Sequence, residues 1–191
     1  MAQVSIIGSG NMGQAIAGVV TAGGSTVQLL THGDTGTAVT GDVVILAVPY
    51  PAVADVIAHR ADQLAGKVVV DITNPLNFET FDSLTVPADS SATAELAAAL
   101  PHSRVLKAFN TTFAATLASG TVDQLPTTVL IAGDDAEAKA LVADIVTAGG
   151  LRAIDAGSVR RARELESLGV LQITLAAAEK VAWTGGFAVV S

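Results

Sequence analysis

One stretch limits the possible folds of this chain more than any other. It runs Val4-Ser5-Ile6-Ile7, then Gly8-Ser9-Gly10-Asn11-Met12-Gly13, then Gln14-Ala15-Ile16-Ala17. An apolar run leads into a glycine turn, and the turn opens a helical period, which is the setting in which G-x-G-x-x-G carries meaning. Each glycine has its own physical task. Gly8 permits the tight turn, Gly10 lets the backbone approach a pyrophosphate, and Gly13 lets the helix pack closely on the strand. The N–H groups at the helix start have no partner within the helix and face an anion. Gly8, Ser9, Gly10, Asn11 and Met12 are therefore candidate cofactor-binding residues.

The rest of the chain continues the alternation. Runs rich in β-branched residues recur at Val4–Ile7, Val27–Leu30, Val43–Val48, Val68–Ile72, Val105–Phe109 and Thr128–Ala132. Most are apolar throughout, as strands covered on both faces are. Helical periods lie at Pro51–Leu64, at Ala92–Leu100, and at Ala138, Leu141, Val142, Ile145 and Val146. The expected fold class is α/β: a Rossmann-type, doubly wound, mainly parallel sheet. Residues 1–191 are read as a single domain, with about 155–191 forming a C-terminal helical extension. Only residues 31–42 separate the second strand from the third, so that crossover is expected to be a loop or a single turn. The last helix is expected over Val159–Trp183, and from Ser167 to Ala178 it has no charge. A helix apolar on most sides must be covered on most sides. We expect a homodimer to supply that cover; burial of the helix in its own domain is the alternative.

Charge excludes several classes of partner. The formal net charge is -8, which argues against nucleic acid and against an anionic membrane surface. There are no cysteines, so disulfides, thiolate metal sites and a cysteine nucleophile are excluded, and a reducing compartment fits. The uncharged residues 1–33 are broken by Gly8, Ser9, Gly10, Asn11, Gly13 and Gln14, and no Lys or Arg precedes their apolar part. Neither a spanning helix nor a signal peptide is expected there, and the expected location is cytoplasmic.

At the end of the second strand an NAD-binding fold places an acid that bonds the ribose hydroxyls and repels an added phosphate. Thr31 and His32 stand there instead. Thr31 offers a hydroxyl donor, and His32 offers N–H donors and can become cationic beside a phosphate. The pair favours NADP(H), without the bidentate grip of an Arg. Asp34 is the competing feature, because it could serve as a displaced ribose acid.

Ligands of a doubly wound sheet bind beyond the carboxyl ends of the strands. Ala47, Val48, Pro49 and Tyr50 close the third strand, Asn74 and Pro75 follow the fourth, and Asn110 and Thr112 follow the fifth. Five of the seven aromatic residues, Tyr50, Phe78, Phe81, Phe109 and Phe113, collect on the same rim. Flat apolar walls suit a flat second ligand such as a flavin; plugging loops over the core is the alternative. No acid–base pair, Ser-His-Asp arrangement or metal cluster stands out, so no catalytic residue is assigned. Asn110 and Thr112 are expected to position the reacting rings. His59 and His102 are read as solvated, and Arg160, Arg161 and Arg163 as a solvated helix start or a seat for an anionic tail. Direct hydride transfer between two cofactors fits this inventory, because the cofactors supply the chemistry and the protein aligns them. A dehydrogenase of a small carbonyl or imine substrate, or a non-catalytic NADP(H) sensor, remains open.

The glycine turn, "ILAVPYPAV", "VVVDITNPLNF", "VLKAFNTTFAATL" and "LESLGVLQITLA" together resemble the NADPH-dependent reductases of a deazaflavin coenzyme. "VDITN" and "KAFNT" also resemble the cytosolic reductase domain of the STEAP metalloreductases. The resemblance implies one Rossmann-type domain, often dimeric, that passes hydride between NADP(H) and a flavin or deazaflavin as small-molecule acceptor. It implies that Ser9, Gly10, Asn11 and Met12 hold the pyrophosphate and that Thr31 and His32 meet the 2′-phosphate. It places Val48, Pro49, Tyr50 and Asn74 beside the nicotinamide, and Asn110 and Thr112 between the nicotinamide and the acceptor.

Overall fold

A computed structural model describes residues 1–31, 33–34 and 36–190. The strands are β1 (Gln3–Ile7), β2 (Thr26–Leu30), β3 (Val43–Leu46), β4 (Val68–Asp71), β5 (Arg104–Lys107), the short pair β6 (Thr121–Val122) and β7 (Leu125–Pro126), β8 (Thr128–Gly133) and β9 (Arg152–Gly157). Seven of them form one sheet in the order β2-β1-β3-β4-β5-β8-β9. The pairs from β2 through β5 are parallel, β5 and β8 are antiparallel, and β8 and β9 are parallel. The mainly parallel, doubly wound sheet is therefore as the apolar runs imply, and its order reverses at β1.

The helices are α1 (Asn11–Ala22), α2 (Val53–Leu64), α3 (Ala92–Ala99), α4 (Ala114–Ser119), α5 (Ala136–Ala148) and α6 (Ala162–Ala177). Strand residues alternate between two apolar layers. Val4, Ile6, Ile45 and Val70 pack with Ile16 and Val20 of α1 and Val142 and Val146 of α5. Ile7, Val44, Leu46 and Val69 pack with Val53 and Leu64 of α2 and Leu96 of α3. β9 and α4 were not expected from sequence. β9 is an edge strand carrying Arg152 and Asp155. Charge on an edge blunts further pairing and also erases the apolar signature of a strand.

The β2–β3 crossover, residues 31–42, contains no helix among its described residues. Side chains of the surrounding elements satisfy its backbone instead, as a loop outside any ladder requires. Gln28 donates to Ala38 O at 2.8 Å and accepts from Thr40 N at 3.0 Å. Ser5 Oγ accepts from Gly41 N at 2.8 Å, and Lys67 Nζ donates to Gly41 O at 2.6 Å. Arg60, only 6% exposed, donates to the carbonyls of Asp34 and Thr37.

The last helix is shorter than its apolar run. A single 3₁₀ turn over Val159–Arg161 leads into α6, which stops at Ala177. Glu179 takes a positive φ of 59°, and a left-handed residue ends a helix. The chain then folds back on α6: Phe187 N donates to Gln172 Oε1 at 3.0 Å, and Trp183 packs against Phe113 with ring centroids 4.9 Å apart. Its own tail thus covers part of α6, while Leu171 stays half exposed. Among the described residues no helix is long and apolar enough to cross a membrane.

Candidate functional site

The glycine turn divides its tasks unequally. Gly8 has a φ of 118°, and a Cβ there would lie 2.1 Å from Ala47 O. A Cβ on Gly13 would lie 2.0 Å from Gly8 O. Both glycines are therefore required by the protein's own backbone. A Cβ on Gly10 would meet nothing within 4 Å. The space in front of Gly10 is open, and α1 starts behind it with no side chain capping its N–H groups. Orphan amides facing an open cradle suit a phosphate.

Three cavities meet along this rim. One of about 310 Å³ runs from Gly8, Ser9 and Gly10 past Thr31 and Ala47 to His59 and Arg60. A second of about 360 Å³ is lined by Asn11, Met12, Val48, Pro49, Tyr50 and Asn74. A third of about 450 Å³ adds Asn110, Thr112, Phe113 and Trp183. The second and third share Asn11, Met12, Ile72, Asn74, Phe78 and Ile173, so they form one continuous cleft above β4 and β5.

The cleft floor is tightly bonded. Asn74 Nδ2 donates to Asn110 O, and Asn110 Nδ2 donates back to Asn74 Oδ1, both at 2.9 Å. Asn110 Nδ2 also donates to Leu165 O of α6 at 2.9 Å. Gly169 lets α6 approach this pair: a Cβ on it would lie 2.4 Å from Asn74 Oδ1. Asn110 Oδ1 and Thr73 Oγ1 are buried with no partner, and buried acceptors of this kind are rare unless something outside the protein satisfies them. The turn that carries Asn110 begins at Phe109, whose φ is 63°. A bulky residue in that region is strained, and such strain persists where surrounding structure over-determines it.

Beneath the floor lies a charged cluster that sequence reading missed. Lys107 Nζ donates to Asp71 Oδ2 at 2.8 Å, to Thr73 O at 2.6 Å and stands 3.0 Å from Glu166 Oε1. Lys107 and Glu166 are both 0% exposed. Glu166 accepts from Ala92 N and Thr93 N, so the start of α3 helps offset the second carboxylate. The only sequence signal was a charge at the end of each of two apolar strand runs, "VVVD" and "RVLK". Nothing in the sequence connected Glu166 to them.

The predicted residues fall as follows. Gly8, Ser9, Gly10, Asn11, Met12, Thr31, Ala47, Val48, Pro49, Tyr50, Asn74, Asn110 and Thr112 all line the joined cavities. Pro75 does not; it is buried, and its carbonyl accepts from Thr85 N at 2.8 Å. His32 lies outside the described residues. Of the aromatic rim, Tyr50, Phe78 and Phe113 line the cleft, Phe81 packs edge-on against Phe78 at 5.8 Å, and Phe109 is buried in the core. Phe109 is therefore no cleft wall: it is 1% exposed and packs in the apolar layer with α1 and α5. Trp183 and His59 join the lining without having been expected there. Arg161 pairs with Glu164 at 2.9 Å, and Arg160, Arg161 and Arg163 line a separate cavity at the start of α6.

Two groups along this rim titrate away from their ordinary values. The Tyr50 hydroxyl is pushed up to about 12, first by burial and then by its hydrogen bond to Glu95 Oε2 at 2.7 Å. It stays a neutral phenol at working pH and is no general base. Asp34 is held below the usual carboxylate range by hydrogen bonds from the Thr31 side chain and backbone.

The family model described as "NADP oxidoreductase coenzyme F420-dependent" matches residues 25–75. The F420-dependent NADP reductase of Methanocaldococcus jannaschii is 34% identical over 149 residues, covering 76% of this chain and 66% of that protein. Metalloreductase STEAP3 of Rattus norvegicus is 31% identical over 181 residues, covering 87% of this chain and 36% of that protein. The chain thus spans about two thirds of the first relative and little more than a third of the second. A solved structure from Arthrobacter sp. FB24 superposes with a TM-score of 0.87 over 100% of both chains at 24% identity, a likeness of fold.

Proposed function

Because the chain belongs to the family of NADP oxidoreductases that depend on coenzyme F420, we propose that it carries hydride between NADP(H) and a flavin or deazaflavin acceptor. One observation supports this reading most: two cavities share a wall of six residues above β4 and β5, so two flat rings can lie against each other. When bound, the nicotinamide and the acceptor supply the redox chemistry.

The chain's own residues bind and align. Ser9, Gly10, Asn11 and Met12 offer backbone N–H groups to the pyrophosphate. Ala47, Val48, Pro49 and Tyr50 wall the nicotinamide side. Asn74 and Asn110 hold each other across the cleft floor, and the unpartnered Asn110 Oδ1 is left to accept from a ring substituent. Phe113 and Trp183 flank the acceptor side and keep water from it. Alignment without a protein general base can supply much of the acceleration of a direct hydride transfer.

We read residues 1–191 as one cofactor-binding domain with α6 and its tail as extension, cytoplasmic, and dimeric through the exposed Leu171, Trp183 and Phe187. A small-substrate dehydrogenase would need a proton donor, and the Tyr50 phenol on the cleft wall already donates to Glu95; a sensor would bind the nucleotide without turnover of any acceptor.

The test is anaerobic NADPH oxidation, with NADH in parallel, against the deazaflavin coenzyme, FMN, FAD and riboflavin, in the native protein and in Gly10→Phe. Turnover with one acceptor is expected in the native protein. Gly10→Phe should keep its thermal midpoint, since a side chain there meets open space, and should lose nucleotide binding. Unchanged NADPH binding in that variant would sink the assignment.

A further inference from the structure

The end of β2 already holds an anion of its own. Thr31 donates twice to one oxygen of Asp34: its backbone N–H at 2.7 Å and its hydroxyl at 2.6 Å, both to Oδ2. Thr31 lines the 310 Å³ cavity that opens on the glycine turn, which is where the adenosine ribose of a dinucleotide lies in this fold class. Both donors that Thr31 could offer a 2′-phosphate there are occupied by a carboxylate.

Asp34 is not in that position by chance rotation of a loose loop. Arg60 Nη2 donates to the carbonyl of Asp34, and Arg60 Nη1 donates to that of Thr37 at 2.8 Å. Arg60 is 6% exposed, and two of its N–H groups hold the loop while the residue borders the same cavity. Its charge also lies close enough to favour the ionised carboxylate.

We propose that Asp34 sets nucleotide choice in this chain: it occupies the Thr31 donors as an internal anion, accepts the ribose hydroxyls of NAD(H), and must be displaced before the 2′-phosphate of NADP(H) can bind. A carboxylate has about four acceptor sites and Thr31 uses two of them, so hydroxyl donors can be added without breaking the existing bonds. A phosphate dianion cannot be added in that way, because it needs the same donors and repels the carboxylate. The consequence is a cleft that tolerates both nucleotides, where a strand end free of acid would select NADP(H) alone. This rests on the dinucleotide reading above and adds to it the residue that weights the choice.

The test is equilibrium binding of NADP⁺ and NAD⁺ by titration calorimetry to the native protein, Asp34→Asn and Asp34→Ala. Asp34→Asn keeps the shape and an acceptor for Thr31 while removing the charge. The native protein should bind both nucleotides, and each variant should raise the NADP⁺-to-NAD⁺ affinity ratio by about tenfold or more, chiefly by tightening NADP⁺. A ratio that stays within about twofold in both variants, with binding intact, overturns the role of Asp34 and leaves the dinucleotide reading standing. If neither nucleotide binds the folded native protein, the dinucleotide reading itself fails, and this inference with it.

Discussion

The two ends of the cleft are held in different ways. Under the Asn74–Asn110 end the charged support is buried: Lys107 bonds Asp71, Glu166 and the Thr73 carbonyl, and α6 closes over the asparagine pair at Gly169. At the Thr31 end, a crossover with no helix among its described residues is held by side chains reaching in from β1, β2 and α2, and the residue that meets the cavity is Thr31, bonded to the Asp34 carboxylate. Buried polar networks fix one geometry because partial satisfaction is costly. Exposed side-chain bonds to a loop cost little to exchange with water or a ligand. The contrast assigns rigidity to the end where rings must be aligned and adaptability to the end that chooses a nucleotide.

The largest effect that can break this contrast is at Lys107. Lys107→Met leaves two buried carboxyls facing each other and the Thr73 carbonyl without its donor, and removing one partner of a buried ion pair costs about 3–5 kcal/mol. At about 2–4 °C per kcal/mol for a chain of this size, the thermal midpoint should fall by roughly 10 °C, measured by circular dichroism melting. The double variant with Glu166→Gln should lose less than the sum of the single losses, because the two sites share one network. Simple additivity would show that the cluster is not a unit.

How much of this was legible in the sequence differs between the same two ends. The strands β1, β3 and β4, helix α1 and the glycine turn are written in local patterns: an apolar run, three spaced glycines, a helical period. That the described residues of this crossover hold no helix was legible from the count of residues between Leu30 and Val43. The ion cluster was not, because Asp71, Lys107 and Glu166 are far apart in the chain, and each reads singly as a surface charge. Arg60 was hidden for a similar reason: on α2 it resembles any exposed helix charge, and only the fold shows that it is buried against the loop. Trp183 reached the cleft through the return of the tail, for which no local pattern exists.

The second effect concerns alignment rather than stability. Gly169→Val places methyl groups where even a Cβ would stand 2.4 Å from Asn74 Oδ1. Overpacking of this kind costs about 1–3 kcal/mol, and the displacement of Asn74 should lower kcat by roughly tenfold to a hundredfold, with nucleotide Kd little changed. Steady-state kinetics beside equilibrium binding separate the two. An equal loss in Kd would mean that Asn74 binds the nucleotide more than it aligns it.

At the opposite end, Arg60→Met removes the donors to the Asp34 and Thr37 carbonyls. The expected loss is about 1–3 kcal/mol, the cost of leaving partly buried carbonyls unpaired, read by urea unfolding. The crossover should also become the first segment to exchange its amide hydrogens. If the protection of residues 37–41 is unchanged, the side-chain bonds to this loop are not what holds it.

The smallest effect lies between the two ends, at Tyr50. Its hydroxyl donates to Glu95 Oε2 at 2.7 Å, joining the third-strand loop to α3 at the surface. Tyr50→Phe should cost at most about 1 kcal/mol, because the bond is largely open to solvent. The sharper readout is titration. The phenol is raised from its usual value of 10.0 to about 12, by burial and by Glu95. A group raised in the folded state stabilises the fold fully below its unfolded pKa and loses that contribution as pH climbs through the folded one. Tyr50 should therefore add a slight loss of stability between pH 10.0 and about 12, and Tyr50→Phe should flatten that part of the curve. Tyr50 is the only tyrosine in the chain, so the phenolate absorbance reports this site without ambiguity. A phenolate that appears near pH 10.0 in the folded protein would mean that the Glu95 bond is not held in solution and that Tyr50 belongs to the adaptable end of the cleft rather than to the rigid one.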